Sequence, residues 1–131
     1  MQAIVLFAHG ARDPRWADPF QAVATRLRHL QPGVQVRLAF LEFMSPDLAA
    51  AAAELAALGC TQLQVLPLFL GAGGHVRKDL PVLVDALRSA HPAMAVELHA
   101  AAGEAPGVID ALAAVAAASL GARGAQRTEP E

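Results

Sequence analysis

Strand-like and helix-like segments alternate four times along this chain, which limits the fold more than any other feature. Gln2 to Ala8 is short and apolar and is broken by Gly10 and Pro14, as a buried strand would be. Ala17 to Leu30 carries Phe20, Val23, Leu27 and Leu30 at helical spacing, and Gln31-Pro32-Gly33 stops it. Val34 to Leu41 reads as a second strand. Ser45-Pro46-Asp47 then opens an alanine-rich helix, with Ser45 as cap and Pro46 in the first turn, ending at Leu58-Gly59. Leu63 to Leu70 reads as a third strand, with Pro67 marking an edge or a bulge. A helix over Leu80 to Ala90, a strand over Met94 to Ala100 and a helix over Pro106 to Leu120 complete the series. The expected architecture is a single α/β domain over residues 1–120, built on a four-stranded parallel sheet with helices on both faces. Residues 121–131 read as a polar, flexible tail.

Composition narrows the function. A net charge of −2 is too low to offset a phosphate backbone, and with no tyrosine and one tryptophan there is no base-stacking platform. Nucleic acid is therefore not an expected partner. No apolar run reaches the roughly 18–20 residues of a membrane span uninterrupted. The lone Cys60 has no internal partner, and a reducing cytoplasm is the expected compartment.

In a parallel sheet every strand ends at the same edge, and ligands bind there, near the point where strand order reverses. With strand order 2-1-3-4, the first and third strands are neighbours. His9 follows the first and His75 follows the third, so two imidazoles 66 positions apart converge on one rim. Glu42 follows the second strand onto the same rim. Neutral imidazole suits cobalt, nickel and iron(II) as well as zinc, and two histidines with a carboxylate make an open, labile site. The four-ligand, cysteine-containing pattern of structural zinc is absent. Arg12, Arg15, Arg77 and Lys78 flank the two histidines and suit an anionic ligand. Gly73 and Gly74 allow close backbone approach, but neither a P-loop nor a dinucleotide fingerprint is present. His99 is a further candidate near the same edge. His29 and His91 sit at helix ends, Cys60 reads as a small core residue, and Trp16 reads as a helix anchor.

Taken together, "HGARDP", "FLE" (Phe40 to Glu42), "PLFL" and "GGHVRKDLP" resemble the small single-domain sirohydrochlorin chelatases of the CbiX and SirB type. The similarity covers roughly Ile4 to Leu120. Ala11 stands where that family commonly has serine. The resemblance implies a chelatase-like fold and ATP-independent insertion of a divalent metal into sirohydrochlorin, a tetrapyrrole bearing eight carboxylates. It implies a lyase with no tightly bound cofactor, its metal (cobalt first, iron or nickel otherwise) being a substrate for tetrapyrrole, cobalamin or sirohaem biosynthesis. His9 and His75 would hold the metal and Glu42 would assist proton removal or metal placement. Arg12, Gly73, Gly74, Arg77 and Lys78 would hold the macrocycle. A homodimer is implied, with the alanine-rich helices at Leu48–Leu58 and Ile109–Leu120 as candidate surfaces.

Two other readings fit the same residues. A phosphohydrolase with a strand-end histidine nucleophile tends to carry arginine just before His-Gly, where this chain has Ala8. A non-catalytic protein that binds or delivers cobalt or nickel would use the same two histidines without any tetrapyrrole.

Overall fold

The computed structural model describes residues 1–124. Its elements are β1 (Gln2–Ala8), α1 (Asp18–Leu30), β2 (Gln35–Phe40), α2 (Leu48–Ala57), β3 (Gln62–Pro67), α3 (Gly74–Ala90), β4 (Ala95–Leu98) and α4 (Pro106–Gly124). Single 3₁₀ turns at Pro14–Ala17 and Ala102–Glu104 precede α1 and α4. The four strands form one parallel sheet in the order β2-β1-β3-β4, as expected. Among the described residues no helix is long and apolar enough to cross a membrane.

Alternation along each strand divides the core in two. Val5, Phe7, Leu63, Val65 and Val96 face α2 and α3, where Leu48, Leu55, Val84 and Leu87 complete the larger cluster. Leu6 and Val36 face α1 on the other side and pack around Ala24 and Leu27. Cys60 is buried in the larger cluster, as a small hydrophobe would be.

Several boundaries shift for identifiable reasons. The cap of α2 is Asp47, whose Oδ1 accepts from Ala50 N at 2.8 Å. Ser45 and Pro46 stay outside the helix because Phe40 N donates to the Pro46 carbonyl at 2.9 Å and holds residues 41–46 as a loop. Pro67 is neither at a sheet edge nor in a bulge. It ends β3 in the sheet interior, paired in register with Phe7. Val65 accepts from His99 N, so Pro67, two residues on, points its nitrogen to the same side, past the end of β4, and no ladder bond is lost.

The largest shift is in α3, which begins at Gly74 rather than Leu80, with Arg77 N donating to Gly73 O at 2.9 Å. Pro81 lies inside this helix, where it removes the N–H that the Arg77 carbonyl would accept. The helix α4 runs to Gly124, past the expected end at Leu120; the rest of the expected tail, residues 125–131, lies outside the described residues.

Candidate active site at the carboxyl edge of the sheet

Ala8 and Phe40 are the last register pair between β1 and β2, and Leu41 N donates to Ala8 O at 2.8 Å just beyond it. The two chains leave the sheet side by side, and this delivers His9 and Glu42 to the same place. His9 Nδ1 lies 3.0 Å from Glu42 Oε1. A carboxylate only accepts, so Nδ1 carries the proton and Nε2 keeps its lone pair free to meet a cation. Gly10 makes this approach possible. A Cβ there would lie 1.7 Å from the Glu42 carbonyl oxygen, so no other residue fits without moving the loop.

Two aromatic residues fix the imidazole. The Phe69 ring stacks on His9 with centroids 4.5 Å apart and 28° between planes. Phe69 is buried and also packs on Phe7, so the stack is anchored in the main core. The Trp16 indole N–H donates to the His9 carbonyl at 2.7 Å, and its ring meets Phe20 edge-on. Trp16 is thus the helix anchor its position suggested, and it also tethers the His9 backbone. Phe69 was visible in the "PLFL" stretch but carried no role there. An aromatic side chain at a strand end reads as core, and nothing in the sequence reveals which ring it will face.

Glu42 is half-buried and divides its two oxygens between different tasks. Oε1 accepts from His9, while Oε2 is buried without a hydrogen-bond partner in the protein. A buried carboxylate oxygen with no donor is costly, and a proton or cation arriving there relieves that cost.

The remaining candidates are only partly gathered here. His75 is the second residue of α3, exposed, on the same carboxyl edge as His9. Among the described residues no three His, Cys, Asp or Glu side chains lie close enough together to hold a metal ion. The close pair is therefore His9–Glu42, with His75 standing apart. Because α3 starts early, Arg77 lies two residues after His75 on a helix and points to the other side of it, whereas Lys78, three residues on, shares the His75 side. Arg77 instead lines a cleft of about 360 Å³ with Leu98, His99 and Glu104. There His99 Nε2 donates to Gln64 Oε1 at 2.6 Å. Gly73 caps α3 without a side-chain hydrogen bond, and no acidic residue occupies the first turn, which leaves open backbone N–H groups at a helix N-terminus. A Cβ at Gly73 or Gly74 would meet nothing, so these glycines keep space open at the helix start and are not forced by packing.

Arg12 and Arg15 part ways as well. Arg15 is bound to Asp13 at 2.7 Å within the turn that Asp13 caps, and its guanidinium holds the exposed Asp13 carboxyl below the usual range. Arg12 stays available and lies 5.2 Å over the Phe43 ring. Phe43 has a φ of 66°, rare for a bulky side chain, and is 65% exposed. It stands beside Glu42 on a cleft of about 540 Å³ along the loop after β2. In the sequence it was only the residue after "FLE", and a left-handed conformation at a phenylalanine has no local signature.

With this geometry in place, comparison with known proteins gives a consistent answer. The CbiX family model matches residues 3–119. A sirohydrochlorin cobaltochelatase of Saccharolobus islandicus is 32% identical over 87 residues, and one of Methanosarcina acetivorans is 32% identical over 82. The match spans 64% of this chain and 64% of the Saccharolobus protein, just under two thirds of its length. A crystal structure from Marinobacter aquaeolei VT8, assigned to the CbiX proteins of cobalamin biosynthesis, superposes with a TM-score of 0.81 at 30% identity. It covers 92% of this chain and 98% of its own. SirB of Bacillus subtilis subspecies spizizenii, solved in complex with cobalt, shares the fold at 23% identity and a TM-score of 0.62, over 74% of this chain and 42% of its own. The chain belongs to the CbiX family, among the CbiX/SirB-type class II sirohydrochlorin chelatases.

Proposed function

We propose that this protein inserts a divalent metal into sirohydrochlorin without ATP, as a cytoplasmic homodimer with cobalt as its principal metal. The observation that carries the reading is the His9–Glu42 pair, with its free Nε2 and its unpartnered Oε2, at the rim where a parallel α/β sheet binds ligands.

Insertion exchanges two pyrrole N–H protons for one M²⁺, so the site must release a cation and receive protons. Nε2 of His9 is one imidazole ligand; His75, which stands apart from it on the same edge, closes toward it as the second when the metal arrives, and a site assembled in this way holds the metal weakly enough to give it up. Glu42 Oε2 accepts a pyrrole proton as the metal–nitrogen bonds form, and a freed imidazole accepts the other. Phe69 and Glu42 keep the imidazole oriented, so little reorganisation is needed at the moment of transfer.

The macrocycle lies across the rim. Phe43 offers an exposed ring face to the planar tetrapyrrole, and Arg12, already above that ring, pairs with a substrate carboxylate. Lys78 and the open N–H groups after Gly73 receive carboxylates on the His75 side. Arg77, with the cleft beside His99, receives one farther toward β4.

The test is anaerobic incubation of the protein with sirohydrochlorin and Co²⁺, Fe²⁺ or Ni²⁺ in turn, following the tetrapyrrole absorbance. The expected result is an initial rate well above the uncatalysed background, highest with cobalt. Rates equal to background with all three metals, and no binding of sirohydrochlorin to the metal-free protein, would instead favour a metal-delivery protein.

A further inference from the structure

The helix α3 carries two starts. The one it uses, at Gly73-Gly74, is poor. Gly73 supplies no side-chain cap, and no acidic residue stands in the first turn. Arg77 and Lys78 bring positive charge to the helix end whose dipole opposes it. Gly74 adds the entropic cost of a glycine inside a helix. From Gly71 to Asp79 only Ala72 and Val76 are half-buried, and the other residues are exposed.

The second start lies at Asp79-Leu80-Pro81, a cap followed by a first turn with proline where no N–H is needed. In the longer helix both residues are misplaced. Pro81 is interior and leaves the Arg77 carbonyl without its partner. Asp79 is exposed, and the four ion pairs among the described residues do not include it. In a helix that began at Leu80, Asp79 would accept from Val82 N, just as Asp47 accepts from Ala50 N at the start of α2. The body of α3 would keep its seat, because Leu80, Val84 and Leu87 are buried in the main core. The apolar contact given up is that of the half-buried Val76.

The stretch between the two starts holds His75. Phe69, whose ring lies on His9, is six residues upstream of it, so a freed stretch begins beside the His9 imidazole. Four helical residues advance about 6 Å and four extended ones about 13 Å, so unwinding to Asp79 gives His75 about 7 Å of added reach. A Cβ on Gly71, Gly73 or Gly74 would meet nothing, which leaves room for the movement.

We infer that the first turn of α3 is bistable: the longer helix is the resting form, and a divalent cation selects the shorter one, capped by Asp79, in which His75 reaches His9. The cation's part in this rests on the chelatase reading; the two starts rest on the chain alone. In the longer form His75 stands apart, and a cation at the His9–Glu42 pair meets one imidazole. In the shorter form it meets two, and that difference in affinity shifts the equilibrium. The apparent affinity falls in proportion as the shorter form becomes rarer. Asp79 and Pro81 are thus positioning residues that set how often His75 is free.

Amide hydrogen exchange, followed by NMR on the full metal-free chain, tests the two starts. The amides from Arg77 to Leu80 donate helical bonds only in the longer form, whereas Val84 and Leu87 donate in both and report that the fold is intact. Arg77 to Leu80 are expected to exchange much faster than Val84 and Leu87 in the wild type. Pro81→Ala is expected to slow them roughly 100-fold, the factor a mid-helix proline costs, and Asp79→Ala about fivefold, the worth of a cap. Calorimetry with Co²⁺ alone tests the coupling. Both variants, although their helix is firmer, should bind Co²⁺ more weakly, with Pro81→Ala approaching His75→Ala. Unchanged exchange at Arg77 to Leu80 in both variants, or slowed exchange with wild-type affinity for Co²⁺, would overturn the inference. A wild type that binds no Co²⁺ while exchange still responds would sink the chelatase reading and leave the two starts in place.

Discussion

Glu42 accepts a 3.0 Å hydrogen bond from Nδ1 of His9 across 33 positions of sequence, because β1 and β2 end in register. The bond fixes the imidazole tautomer, which an amide in place of the carboxylate no longer does, since an amide can donate as well as accept. Glu42→Gln is therefore expected to fold normally, to lower the metal-insertion rate roughly 10- to 100-fold and to weaken metal binding. Steady-state insertion kinetics and calorimetric metal titration check both effects. An unchanged rate would remove Glu42 from the mechanism.

Gly10 tests the same geometry from the backbone. A methyl group there collides with the Glu42 carbonyl, so Gly10→Ala must displace the loop after β2. Overpacking of this kind costs about 1–3 kcal/mol, visible as a lowered Tm. The variant is expected to lose insertion activity even at temperatures where circular dichroism shows it folded.

The architecture was legible because it rests on periodicity. Four alternations of strand and helix lead to the parallel sheet and its shared edge, and the edge leads to His9 and Glu42. What escaped was local or tertiary. The start of α3 was hidden by Gly73-Gly74, which read as loop, and by Pro81, which a helix tolerates only at a cost; as a result Arg77 faces away from His75. The Phe69 stack and the left-handed Phe43 depend on contacts between distant segments. The helix α4 has the apolar content of a core helix, and its composition does not reveal that it stands exposed on this chain.

The Phe69 stack separates positioning from packing. Phe69→Leu keeps most of the buried volume and removes the ring face under His9. Stability is expected to fall by about 1 kcal/mol, the worth of an aromatic pair, measured by urea unfolding. The kcat should fall more than that loss explains, with KM for the tetrapyrrole little changed. Equal effects on kcat and KM would make Phe69 a core residue only.

Phe43 and Arg12 are expected to behave in the opposite way. Both are exposed and lie beside the reacting groups rather than against them. Phe43→Ala and Arg12→Ala should each raise KM for sirohydrochlorin several-fold with kcat within about twofold of wild type, the signature of binding that is uniform through the reaction. Phe43→Ala should cost little stability, since the side chain it removes is exposed, and the left-handed φ stays as strained with alanine because both residues carry a Cβ.

The most direct measurement is the initial rate of anaerobic cobalt insertion into sirohydrochlorin by the wild type and by the His9→Ala, His75→Ala double variant, at equal concentration and with matched circular dichroism. The wild type is expected to exceed the uncatalysed rate by orders of magnitude, and the double variant to fall to that background. A double variant that turns over like the wild type would contradict it.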